Sequence, residues 1–193
     1  MGSIEYETAL QAVEERLSEG AAAHSVRAAE TAARLAVVYG ADVEQARIAA
    51  VLHDWDREQG AQRLLDAARD ADIAVSEVDE QVPYLLHPRT AAAELAEALP
   101  GLPAEVLSAV RNHTVGSADM SDLDMVVYLA DMIEPARDYP GVDELRDAVG
   151  TMSLHELFAL GYQHSVAYLV ATRRRIHPDT VAVWNALVAG GSR

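Results

Sequence analysis

The stretch Ala-Ala-Val-Leu-His-Asp-Trp-Asp-Arg, residues 49–57, constrains this chain more than any other. An apolar run leads straight into the imidazole of His53 and the carboxylate of Asp54, and Asp56, Arg57 and Glu58 crowd the positions just after. Burying an unpaired ion costs on the order of several kcal/mol, so a buried helix bearing this pair must compensate both groups. A helix end where the pair meets solvent is one solution, and for a single His-Asp pair it is the ordinary one. A metal ion is the other: neutral imidazole nitrogen and ionised carboxylate oxygen suit iron, manganese, zinc, nickel or cobalt. Adjacent helical residues point about 100° apart. One metal can therefore take both groups, and the second carboxylate oxygen can reach another.

The rest of the chain reads as helices joined by short breaks. Residues 4–17 place Ile4, Ala9, Val13 and Leu17 at helical spacing, and Gly20 is expected to break that helix. A second helix spans 22–39, with His24 in its first turn and Gly40 as C-cap. Asp42 caps a third over 43–58, where Gln45 can complete a capping box, and this helix carries His53 and Asp54 near its C-terminal end. A shorter helix runs from Gly60 to residue 71, and 72–86 reads as irregular, with a turn at Pro83. His87 opens the next helix with Pro88 in its first turn, where the missing N–H does no harm; it stops at Pro100-Gly101. Pro103 starts another that leads to Asn112-His113-Thr114. Ser121 caps an apolar helix over 122–133 that carries Asp131 and ends before Pro135. Helices over 142–149, 153–174 and 178–187 complete the chain. No sustained period-2 alternation or internal repeat appears, so the fold class is all-α, with nine or ten helices in a single domain over 1–193.

Composition removes several classes of function. There is no cysteine, hence no disulfide, thiolate metal site or cysteine nucleophile. Net charge is −16 and every basic residue apart from histidine is arginine. A surface this acidic repels nucleic-acid backbones and anionic membranes, so neither is an expected partner. No apolar run approaches the roughly 20 residues that span a bilayer, and the acidic N-terminus lacks the order of a signal peptide, so a cytoplasmic location is expected. A phosphate-bearing substrate would need local positive potential from metal ions and a few arginines.

The polar residues that interrupt apolar helical stretches are His24, His53, Asp54, His87, His113 and Asp131. Any one of them alone reads as a satisfied core or surface group; six over five helices do not. Their order, with the strings Leu-Ala-Asp-Met-Ile-Glu-Pro-Ala-Arg (129–137), Asn-His-Thr-Val-Gly (112–116) and Ile-His-Pro-Asp-Thr (176–180), resembles the YqeK family of HD-domain metal phosphohydrolases over residues 20–187. These are bacterial symmetrical diadenosine tetraphosphate hydrolases. The resemblance implies an HD-domain helical bundle with two metal ions, iron first, manganese, cobalt, nickel or zinc as substitutes. It implies that His24, His53, Asp54 and Asp131 hold one ion, and that Asp54 bridges to a second held also by His87 and His113. In that scheme a hydroxide on the dinuclear centre attacks a phosphate of the nucleotide substrate, and symmetrical cleavage leaves two ADP.

The same resemblance implies catalytic and substrate-binding roles for Arg57 and Arg137, and substrate contacts from Thr114, Gly116 and His177. Arg57 stands where the family usually has lysine; it keeps the charge but changes the reach. Asp56 beside it is an unusual charge for a phosphate site, and Pro88-Arg89 is an unusual continuation of His87. Two other readings stay open: an HD-type nucleotidase, pyrophosphatase or phosphodiesterase acting on another nucleotide, and a non-catalytic nucleotide- or protein-binding HD module. An apolar terminal helix could support a homodimer.

Overall fold

A computed structural model describes residues 4–190; residues 1–3 of the acidic N-terminus lie outside it. In chain order the helices are α1 (Tyr6–Arg16), α2 (Glu19–Tyr39), α3 (Val43–Leu52), α4 (Ala61–Asp70), α5 (Glu77–Gln81), α6 (His87–Ala98), α7 (Ala104–Asn112), α8 (Asp122–Ile133), α9 (Val142–Ala148), α10 (Leu154–Ala171) and α11 (Pro178–Gly190). A 3-10 turn, Pro83–Leu86, precedes α6. No strand occurs among the described residues, and none of their helices is long and apolar enough to cross a membrane.

Alanine decides the packing. The buried face of α2 is largely Ala28, Ala29, Ala32, Leu35 and Ala36, and α3 buries Ala46, Ala49 and Ala50 beside Ile48, Val51 and Leu52. Small side chains let helix backbones approach closely, and α2 packs on both α3 and α8. The layer closes with Val126, Val127, Leu129 and Ala130 of α8, all fully buried, while α7 packs against α3, α6 and α8. His24, His53, His113 and Asp131 come from these same central elements.

Four local expectations need correction. Gly20 does not break a helix; it lies in the first turn of α2, which Ser18 starts by accepting from the Ala21 N–H. His24 is therefore in the second turn. The helix expected over 43–58 stops at Leu52, and tight turns follow: Trp55 N–H bonds Leu52 O at 3.0 Å, and Arg57 N–H bonds Asp54 O at 2.9 Å. Gln45 donates to the Asp42 carboxylate at 3.3 Å rather than completing a capping box. Residues 72–86 are not irregular throughout, because α5 forms there on a reciprocal Ser76–Asp79 box. It is the helix beyond the ten read from periodicity. The early end of α3 has a long-range cause. Arg16 of α1 donates to Trp55 O at 2.7 Å, to Asp56 at 2.5 Å and to Glu94 at 2.6 Å, with its guanidinium 4.3 Å from the Trp55 ring.

Candidate metal centre

Six residues converge on one point from five places in the chain. His24 Nε2 lies 2.9 Å from Asp131 Oδ1 and 3.6 Å from Asp54 Oδ2. His53 Nε2 lies 3.3 Å from Asp54 Oδ2 and 3.6 Å from Asp131 Oδ1. On the other side, His87 Nε2 and His113 Nε2 lie 3.4 Å and 3.6 Å from Asp54 Oδ1. The two oxygens of Asp54 thus face two different sets of donors. His24, His53 and Asp131 form one compact ligand group, and His53, Asp54 and His113 form another.

The remaining ring nitrogens explain why every Nε2 points inward. His53, His87 and His113 each donate Nδ1–H to the backbone carbonyl three residues earlier, Ala50, Tyr84 and Val110, all at 2.7 Å. His53 and His113 are the C-caps of α3 and α7, and His87 ends the 3-10 turn. Carbonyls near such ends accept a side-chain donor, and that of Tyr84 takes the His87 backbone N–H as well. With Nδ1–H committed, the inward nitrogen of a neutral ring is a lone pair. His87 and His113 bring two of these within 3.1 Å of each other. His53 Nε2 and Asp54 Oδ1 are buried with no hydrogen-bond partner at all. Orphaned buried acceptors at this density call for a cation, and a set of imidazoles and carboxylates suits a divalent metal.

The electrostatics show a pull for positive charge, which a proton on His53 or a bound cation can meet. Burial disfavours a proton on His53, yet Asp54 and Asp131 outweigh it and push its pKa up to about 10. His113 goes the other way, to about 4, through burial and the neighbouring His53 and His87. Asp54 and Asp131 are both held well below the usual carboxylate range: despite burial, His53 dominates for Asp54 and His24 for Asp131. The centre keeps its carboxylates ionised and draws positive charge.

The flanking residues divide. Arg57 donates to Asp54 Oδ2 at 2.6 Å and Arg137 pairs with Asp131, their side chains 35% and 30% exposed at the rim of the centre. Thr114 follows His113 directly and is half-buried. Gly116 has φ +81°, which favours glycine, and a Cβ there would crowd Tyr162 at 3.3 Å and Val183 at 3.4 Å. His177 is not brought to the centre. It sits buried in a second cluster, 3.3 Å from Asp79 and 3.2 Å from Ser76. Asp56, the unexpected charge, is turned away and neutralised by Arg16. Arg89 pairs with Asp79 and with Ala74 O, so the unusual Pro88-Arg89 continuation serves the second cluster. Sequence reasoning missed Glu134 as a partner of His24, at 3.1 Å. Its spacing of three residues from Asp131, one helical turn, was the available signal.

Residues 21–136 match the family described as HD domain. The chain is 33% identical over 185 residues to a symmetrical bis(5'-nucleosyl)-tetraphosphatase of Bacillus subtilis, covering 95% of this chain and 98% of that one. It is 32% identical to the protein of the same name from Halalkalibacterium halodurans, covering 93% and 95%. A crystal structure of a predicted HD superfamily hydrolase involved in NAD metabolism from Clostridium acetobutylicum superposes with TM-score 0.89 at 29% identity, covering 98% of this chain and 100% of that one. With six converging imidazoles and carboxylates, an all-helical frame and relatives matched nearly end to end, the chain belongs to the HD-domain family, in the YqeK-type branch of those tetraphosphatases.

Proposed function

We propose that this chain is a metal-dependent phosphohydrolase that splits diadenosine tetraphosphate symmetrically into two ADP. The observation that carries the reading is the commitment of every Nδ1 elsewhere, which leaves the Nε2 atoms and two carboxylates aimed at one point. The names of its relatives supply the substrate. In this reading His24, His53, Asp54 and Asp131 hold one ion, and Asp54, His87 and His113 hold a second; iron is the proposed metal. Bound metal ions supply Lewis-acid polarisation of phosphoryl oxygens and an acidified water.

The chain's own groups do the rest. Asp54 offers one oxygen to each side of the centre and so fixes the spacing of the two halves. Arg57 and Arg137 stand at the rim with guanidinium forks that match phosphate oxygens, and they oppose the charge that builds on a phosphoryl group during displacement. In this reading Thr114 and Gly116, on the loop after His113, supply further substrate contacts. With a net charge of −16, this pair of arginines focuses a polyanion that the rest of the surface repels.

The test is incubation of purified, metal-analysed protein with diadenosine tetraphosphate, followed by chromatographic separation of products. ADP alone, lost on chelation and restored by iron or manganese, is the expected result. AMP plus ATP would mean asymmetric cleavage and overturn the register. No turnover, with metal bound, would shift the reading to another nucleotide.

A further inference from the structure

Three of the four converging histidines are oriented by backbone. The fourth, His24, is not. It lies inside α2, where the carbonyl one turn back, Ala21, already accepts the Ser25 N–H of the helix ladder. Its Nδ1 instead meets a side chain, Glu134 Oε1, 3.1 Å away. We propose that Glu134 is a positioning residue: it holds the Nδ1–H of His24, aims Nε2 into the centre and strengthens that nitrogen as a ligand. This rests on the metal-centre reading above and assigns a residue outside the ligand set.

The surroundings of Glu134 fit that task. Its side chain is 2% exposed, and its other oxygen accepts from Arg27 Nε and from the Ala136 N–H, both at 2.7 Å. Arg27 lies one turn beyond His24 on α2, so the same helix supplies the imidazole and the cation that balances its partner. Glu134 is the C-cap of α8, and Pro135 bends the chain directly after it. Arg146 of α9 clamps that bend, donating to the carbonyls of Ile133 at 3.1 Å, Glu134 at 2.8 Å and Arg137 at 2.9 Å. A carboxylate this enclosed cannot swing away, and it bonds only one of the four imidazoles. Outer partners of metal-bound histidine fix the tautomer and raise basicity, and losing one typically costs about 10–100-fold in metal affinity. The loss here should fall on one half of the centre.

The experiment is a manganese(II) titration of full-length wild type, Glu134→Ala and Glu134→Gln, reading both affinities, with ¹⁵N NMR of the His24 tautomer in each protein. For Glu134→Ala, one site should weaken about 10–100-fold while the other holds within about threefold. His24 should lose its uniform Nδ1–H form. Glu134→Gln keeps an acceptor oxygen and should recover most of the affinity and the tautomer. Equal weakening of both sites, or unchanged affinities with an unchanged tautomer in folded Glu134→Ala, overturns the proposal. If Glu134→Ala does not fold, Glu134→Gln decides: a changed His24 tautomer there, with both affinities shifted together, sinks it. A wild type that binds no manganese overturns the metal-centre reading instead, and the tautomer comparison still decides for Glu134.

Discussion

Asp54 and Asp79 are both aspartates with fully buried side chains, and each has a histidine nitrogen within 3.3 Å. Around Asp79 every group is satisfied. The carboxylate takes the Ser76 N–H and hydroxyl, both at 2.8 Å, as well as Arg89 and His177 Nε2. The other nitrogen of His177 accepts the Asp179 N–H at 3.1 Å. This cluster ties α5, α6 and the start of α11 together and asks for nothing more. Around Asp54 the donors and acceptors do not balance: lone pairs face lone pairs, and two buried acceptors have no partner. Residue types alone do not separate a structural cluster from a site. The separating property is whether hydrogen bonding within the protein closes the set.

The comparison can be broken by exchanging roles. The largest expected effect is at Asp54. Asp54→Ala should abolish metal binding and turnover, a loss well beyond the ~100-fold of an outer partner; persistent hydrolysis in that variant would mean that the centre lies elsewhere. Asp79→Asn should do the converse. Removing one partner of a buried pair costs about 3 kcal/mol, or ~10 °C in Tm for a chain of this size, with metal content unchanged. Calorimetry beside metal analysis checks both arms, and a drop in bound metal in Asp79→Asn would collapse the distinction.

Two smaller effects sharpen it. Arg57→Ala should lower kcat/KM about 100-fold with metal retained, as loss of one charge-stabilising donor does. Arg57→Lys, the residue usual in the family, should recover all but about tenfold. If Arg57→Ala also lost metal, its bond to Asp54 would be its main duty. The smallest effect is acid sensitivity at Asp79. Although burial opposes its charge, Ser76 and Arg89 hold its pKa below the usual value, so its contribution is present above the unfolded pKa of about 4 and is lost as pH falls through the lower folded value. Denaturant titrations from pH 5 to pH 2 should find wild type losing stability more steeply than Asp79→Asn; parallel slopes would remove Asp79 from the account.

Much of this was legible because the signals are local. Ser121 and Pro135 bracket α8 so closely that its range follows from capping chemistry and from a missing N–H. The six polar residues stand out because each interrupts an apolar face, where burial makes a polar group expensive. The features that were not legible share one physical cause. The end of α3, the turning away of Asp56 and the enclosure of His177 all depend on groups far along the chain: Arg16, 39 residues from Trp55, and Asp79, 98 residues from His177. The His24–Glu134 bond spans 110 residues, and the one-turn spacing of Glu134 from Asp131 is its only local trace.

The sequence by itself determined the helical class, most helix boundaries and the identity of the six converging residues, since apolar period, caps and proline act within a turn or two of the chain. Only the tertiary structure decided which histidine belongs to which cluster, which nitrogen each ring turns inward and which aspartate is left unsatisfied. Those outcomes depend on hydrogen-bond partners that packing brings within about 3 Å, and such partners leave no mark on local pattern.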